Sequence, residues 1–250
     1  CADLRSFSYT GEGSGEGFIG TYAFQNCISL KDVTINENTT SFKAVLNFAF
    51  KNCTALESLS MPDSVISIIG SSYPYTGTLS LTTNSYIFDG CTSLKSVKLS
   101  ANIEWLGYRI FNNCTNLTTV DFGENSRLTT IGNYAFFNCT GLKTINLPAS
   151  LELIGGDAFT GCTSLSSVNF AENSVLKHIL YYAFDGCSSL RDIVLPASLQ
   201  TLGGSSLDFN KYPVSETSTG YIFRNCTSLK SITFPDNITT IPTYCFTGCT

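Results

Sequence analysis

Charge is scarce in this 250-residue chain: Asp, Glu, Lys and Arg make up 13% of it, and the formal net charge is −5. Binding nucleic acid demands a dense basic stripe that releases counterions, so this composition argues against that class. Histidine occurs once, as His178. A nucleophilic triad or an acid–base pair therefore has no candidate, and His178 reads as surface filler in a variable slot shared with Thr130 and Leu153. No D-x-[DN]-x-[DN]-G run offers a calcium loop. No stretch of eighteen apolar residues is present, and the first residues lack the basic, apolar and small-residue series of a secretory leader; a membrane span or signal peptide is not expected within this chain. The glycine-rich stretch from Thr10 to Gly17 lacks GK[ST] and a following helical pattern, so it predicts a flexible loop rather than a phosphate cradle.

Cysteine is abundant, with eleven residues. Ten recur in one phase: Cys1, Cys27, Cys53, Cys91, Cys114, Cys139, Cys162, Cys187, Cys226 and Cys249, spaced by 26, 26, 38, 23, 25, 23, 25, 39 and 23 residues. The clearest copy is CTGLKTINLPASLELIGGDAFTGC, from Cys139 to Cys162. Three residues after each of the first nine cysteines comes a leucine, as in Leu30, Leu56, Leu94 and Leu142, followed by apolar residues three and five positions further on. A period in the twenties carrying L-x-x-[VIL]-x-[LFI] is the signature of a leucine-rich repeat, and nine copies fill the chain.

Within one copy, the alternating V-x-L places two side chains on one face of a short strand, and stacked copies predict a parallel sheet. Proline at Pro62, Pro148, Pro196 and Pro235 ends the strand because it has no N–H for the ladder. The following L-x-x-I-G-x-x-A-F returns the chain across the core, with Phe136, Phe159 and Phe184 pointing inward. A short strand or irregular turn is expected there, then one turn of α- or 3₁₀-helix. The position before each repeat cysteine from Cys27 onward holds only Asn or Gly, the two residues that best tolerate a left-handed backbone, which predicts a positive-φ turn. A single copy cannot offset its own ordering entropy, so neighbours must share buried faces.

The cysteines themselves read as interior packing. Ten occupy one slot, and Cys245 stands where other repeats have Ala135, Ala158 or Ala183; both patterns describe small buried hydrophobes. Cys27, Cys53, Cys91, Cys114, Cys139, Cys162, Cys187 and Cys226 are accordingly predicted to be free buried thiols, since in-register side chains point in parallel and bridging them would strain both neighbours. A zinc site finds neither a second cysteine pair nor a nearby histidine beside Cys245 and Cys249.

Departures from the repeat mark the candidate contacts. The copies opening at Cys53 and Cys187 carry about fifteen extra residues each, at 71–85 and 204–220, rejoining the frame at Tyr86-Ile87-Phe88 and Tyr221-Ile222-Phe223. They bring Tyr73, Tyr75 and Tyr212, and tyrosine is a favoured contact residue, although such loops equally serve to cover an apolar edge. Thr78 to Thr82 alternates as an added strand would. Two-residue insertions fall in Gly123-Glu124-Asn125-Ser126 and Ala171-Glu172-Asn173-Ser174, read as solvated turns. After the repeat leucine lie Arg5, Lys31, Lys95, Lys143, Arg191 and Lys230, a basic line broken by Glu57, Thr118 and Ser166 that suits an acidic polymer or a plain solvated face. Sequons begin at Asn38, Asn52, Asn113, Asn116, Asn138, Asn225 and Asn237; in a eukaryotic secreted protein these are N-glycosylation acceptors, and the N-C-T cases also arise automatically from the turn slot.

The pattern L-x-x-[IV]-x-[LF]-P-x-x-[LI]-x-x-I-G-x-x-A-F-x-[GN]-C-T-S-L, seen from Leu142 to Leu165 and again to Leu190, resembles the BspA-like class of leucine-rich repeats on the surfaces of anaerobic bacteria and parasitic protists. That resemblance covers essentially the whole chain. It implies a right-handed, mostly β solenoid of the α/β type, spanning 1–250 as one domain, and an extracellular or cell-surface protein that adheres to protein or glycan partners without enzymatic activity or cofactor. The alternative is a structural unit assembling into a filament or coat through self-association. Because the first and last residues share one phase of the repeat, a fragment of a longer array is expected.

Overall fold

A computed structural model describes residues 1–11, 15–70, 79–204 and 220–250. Each repeat forms one rung of a parallel β solenoid. The V-x-L segments are β1 (Ser6–Tyr9), β3 (Asp32–Ile35), β5 (Ser58–Ser60), β6 (Ser96–Lys98), β8 (Thr119–Asp121), β10 (Thr144–Leu147), β12 (Ser167–Phe170), β14 (Asp192–Val194) and β16 (Ser231–Thr233). They line one face, all pairing in parallel. Alternation sets their direction: in β3, Val33 and Ile35 are buried while Asp32 and Thr34 are exposed. On the opposite side run the return strands β2 (Gly17–Ile19), β4 (Phe42–Val45), β7 (Trp105–Leu106), β9 (Thr130–Ile131), β11 (Leu153–Ile154), β13 (His178–Ile179) and β15 (Thr201–Leu202).

Nine copies thus give nine strands on the main face, but only seven rungs also form a return strand. In the Cys53 rung the return is reduced to a bridge between Ala44 and Ser67, and the last rung forms none among the described residues. Two expectations are corrected. The segment after each return strand is a run of hydrogen-bonded turns, and no helix occurs among the described residues, so the α component is absent. Gly17 opens a return strand rather than closing a loop.

The interior is built of columns, one side chain per rung. Phe24, Phe50, Phe88, Phe111, Phe136, Phe159, Phe184, Phe223 and Phe246 stack with centroids 5.1–5.7 Å apart. Beside them run the cysteines. Each Sγ–H from Cys53 to Cys226 donates to the carbonyl of the phenylalanine one rung back, as Cys139 does to Phe111 at 3.1 Å and Cys162 to Phe136 at 3.1 Å. This explains cysteine where alanine would also fit: the thiol fills the slot and satisfies a second lone pair of a buried carbonyl.

The turn that reaches each cysteine takes φ near +58° at Asn26, Asn52, Asn113, Asn138 and Asn225, and between +71° and +80° at Gly90, Gly161, Gly186 and Gly248. Gly132 is required for a different reason. Its φ is ordinary, but a Cβ there would stand 2.7 Å from the Leu106 carbonyl oxygen of the preceding rung.

The described end of the first insert covers the flank. Leu81 packs with Leu153 and Leu180 outside the return sheet, and its carbonyl accepts from Asn133 N–H at 3.2 Å. The strand expected there does not form: Leu81 and Thr82 lie in a turn closed by Thr83 N–H to the Ser80 carbonyl at 2.9 Å, whereas Thr78 is outside the described residues.

Candidate partner-binding surface

The third side of the solenoid is aromatic. Four residues before the Asn/Gly slot, a second positive-φ position holds Tyr22, Phe48, Tyr86, Arg109, Tyr134, Asp157, Tyr182, Tyr221 and Tyr244. Rings stack in runs, Tyr22 on Phe48 on Tyr86 and Tyr182 on Tyr221 on Tyr244, 4.7–4.9 Å apart. Lys51 lies over Tyr86 at 5.0 Å while pairing with Asp89 at 2.7 Å, and Arg224 lies over Tyr182 at 4.9 Å while pairing with Asp185 at 2.5 Å. Neighbouring rings and cations occupy these faces, so the ladder stiffens the flank and offers few open ring faces to a ligand.

The main face is different in its two halves. In the N-terminal half the basic line is partly compensated: Glu57, the residue that interrupts it, stands between Lys95 at 3.0 Å and Lys31 at 3.2 Å, and these two hydrogen-bonded ammonium groups hold its carboxyl below the usual range, while Arg5 is in no ion pair found among the described residues. Lys98 approaches Glu37 at 3.9 Å. In the C-terminal half Lys143, Arg191 and Lys230 stand exposed on the same line, in no ion pair found among the described residues.

That half also contains a break. Main-face strands join as β1-β3-β5-β6-β8, β10-β12 and β14-β16, so the ladder parts between β8 and β10 and again between β12 and β14. Each break follows a copy lengthened by two residues in the turn after its strand. The N–H of the residue after the repeat leucine reaches the rung before in several copies, as in Thr118 to Lys95 at 2.9 Å, Ser166 to Lys143 at 2.9 Å and Lys230 to Arg191 at 2.7 Å, whereas Glu57, Lys143 and Arg191 make no such bond. Two open depressions meet at this second break. One, of about 680 Å³, is lined by Lys143, Arg191, Asp192 and serines including Ser166, Ser189 and Ser228. The other, of about 620 Å³, continues past Ser167 and Asp192 to Val168, Phe170, Val194 and Pro196.

The remaining predicted positions lie apart from this groove. Tyr73, Tyr75 and Tyr212 are outside the described residues. Asn38 is exposed, whereas side-chain amides of other sequons are engaged: Asn52 donates to Asn26 at 2.9 Å, Asn116 to the Thr92 carbonyl at 2.8 Å, Asn138 to Asn113 at 3.2 Å, Asn225 to Asp185 at 3.3 Å, and Asn237 to the Leu199 carbonyl. The eight interior cysteines are buried free thiols. Burial pushes Cys53, Cys162 and Cys226 up to about 12 and Cys91, Cys114, Cys139 and Cys187 well above their ordinary value. His178 is half-buried in β13, its Nδ1 2.8 Å from Thr201 Oγ1, and desolvation lowers its pKa. Among the described residues no cluster of His, Cys, Asp or Glu is placed to hold a metal, and no helix is long and apolar enough to cross a membrane.

Stacked rungs with a leucine, a phenylalanine and a cysteine column define a leucine-rich-repeat solenoid. The family model for the BspA type leucine rich repeat region matches residues 14–83, 81–212 and 215–250, so the chain belongs to that family. Among solved structures it is similar in fold to a leucine rich cell surface protein from Faecalibacterium prausnitzii (TM-score 0.53, 23% identity), covering 98% of this chain and 65% of that one. It is also similar to the pneumococcal vaccine antigen PcpA (TM-score 0.55, 22% identity), covering 99% of this chain and 55% of that one. No curated protein matches the chain.

Proposed function

We propose that the chain is a non-enzymatic recognition module of a cell-surface or secreted protein, and that it engages a protein partner through the C-terminal half of its main face. The observation that carries this reading is the contrast between the halves. Lys31 and Lys95 are tied to Glu57, which offsets one of their two charges, while Lys143, Arg191 and Lys230 carry no paired acid among the described residues and stand beside a groove on a protein of net charge −5. Isolated exposed charges contribute little to affinity, but a line of three on an otherwise acidic molecule steers and orients an acidic partner. Membership of a family with surface-protein structural neighbours supports the location.

The test is solid-phase binding of the chain to immobilised extracellular-matrix proteins and to glycans. The triple variant Lys143→Glu, Arg191→Glu, Lys230→Glu is expected to lose protein binding, and the control Lys31→Glu, Lys95→Glu to keep it. Equal effects of the two variants, binding to glycans alone, or filaments in negative stain in place of monodisperse rods would overturn the reading.

A further inference from the structure

The groove at the break between β12 and β14 has two chemically distinct ends. At the start of the strands it is basic and rich in hydroxyls, with Lys143 and Arg191 above Ser166 and Ser189. At their far end it is apolar, with Phe170, Pro196 and Val194, which is 67% exposed. Between them the two strands share no ladder hydrogen bonds, although their rungs stay stacked through the paired return strands β13 and β15. An extended peptide complements both ends: carboxylates for the cations and hydroxyls, and aliphatic side chains for the far end. A sulfated polysaccharide matches only the first.

Resting on the reading of the main face given above, we infer that this groove receives an extended segment of the partner protein that is acidic at one end and apolar at the other. Asp192 keeps its charge at the junction of the two depressions, accepting from Ser231 Oγ at 2.5 Å, and so confines the acidic end to the Lys143 and Arg191 side. The acidic end lies against Lys143 and Arg191, and the apolar end against Val194.

The experiment is fluorescence anisotropy on the full chain with labelled peptides EDEGVLV and VLVGEDE, the scrambled peptide EVDLEVG, and heparin as a sulfated competitor. One of the two ordered peptides is expected to bind at least fivefold more tightly than the scrambled one. Arg191→Glu and Val194→Asp should each weaken it about tenfold, equivalent to roughly 1.4 kcal/mol, while Lys95→Glu leaves it within twofold. Both groove positions are exposed, and far-UV circular dichroism confirms that the variants fold. Equal binding of ordered and scrambled peptides, indifference to Val194→Asp, or heparin binding with no peptide binding would overturn the assignment. If peptides fail while the triple charge reversal still abolishes matrix-protein binding, the groove's occupant is wrong and the face is right; if the reversal is silent too, both fall.

Discussion

Replacing Phe136 by alanine should be far more damaging than replacing its neighbour Phe137, although the two differ by one position in the chain. The Phe136 ring is fully buried between Phe111 at 5.2 Å and Phe159 at 5.1 Å. Removing a buried phenylalanine costs about 3–5 kcal/mol, from lost transfer energy and the cavity left behind. Within that sum each aromatic pair accounts for about 0.5–1.5 kcal/mol, and here two pairs are lost together. Phe137 is half-buried and among the described residues meets one ring, Tyr134 at 5.6 Å, so Phe137→Ala should cost about 1 kcal/mol. The assay is urea unfolding followed both by circular dichroism and by the fluorescence of Trp105, the single tryptophan. Two probes are needed because a repeat array can unfold in sections, and noncoincident curves would report that directly. A Phe136→Ala loss below about 1 kcal/mol, or one no larger than that of Phe137→Ala, would refute a stability carried by the inner column.

Asp157 offers a pH-dependent test. Burial raises its carboxyl to about 6, against lowering contributions from hydrogen bonds to Thr160 and Tyr134. Because the folded value lies above the ordinary aspartate value of 3.8, the native state binds the extra proton, and stability falls as pH rises between the two. Asp157→Asn, which also suits the positive φ at this site, should raise the melting temperature at pH 7 and flatten the slope between about pH 4 and 6; an unchanged slope would remove this role. Glu57→Gln should release Lys31 and Lys95, lengthening retention on a heparin column without moving the urea midpoint. Unaltered retention would show that Glu57 does not mask the charge of Lys31 and Lys95.

The sequence made the columns legible because each demands a narrow residue class at a fixed phase. Asn138 and Gly161 announced a left-handed turn, and Leu142 and Val168 announced strands by their spacing. The second left-handed position was signalled only by recurring aromatics such as Tyr134 and Tyr182. Bulky residues ordinarily avoid that backbone, and bonds between rungs impose it, as Tyr134 N–H to the Gly156 carbonyl and Tyr182 N–H to the Gly220 carbonyl do, a nonlocal effect. The helix expected after the return strand was an error of local pattern: every second N–H of the segment is given to the following rung, as Phe136 to Ala158 and Asn138 to Thr160, so the internal bonds between them, such as Phe137 to Tyr134, close separate turns and never a continuous ladder. The groove was hidden for a similar reason. Two extra residues ending at Ser126 or Ser174 are visible in the sequence, but the parting of the main sheet beside them is a property of adjacent rungs. Nor could spacing reveal that Glu57 pairs on both sides while Lys143 and Arg191 stay free.

The central claim is that the cysteines form one continuous interior column, and native-state alkylation mapped by mass spectrometry tests it most directly. With iodoacetamide at pH 8, Cys1, which is exposed, and Cys249, which is partly so, should be modified, while Cys27, Cys53, Cys91, Cys114, Cys139, Cys162, Cys187 and Cys226 react only once the chain is unfolded. Modification of those eight in the folded protein at the rate of Cys1, or their recovery as disulfides, would contradict the solenoid described above.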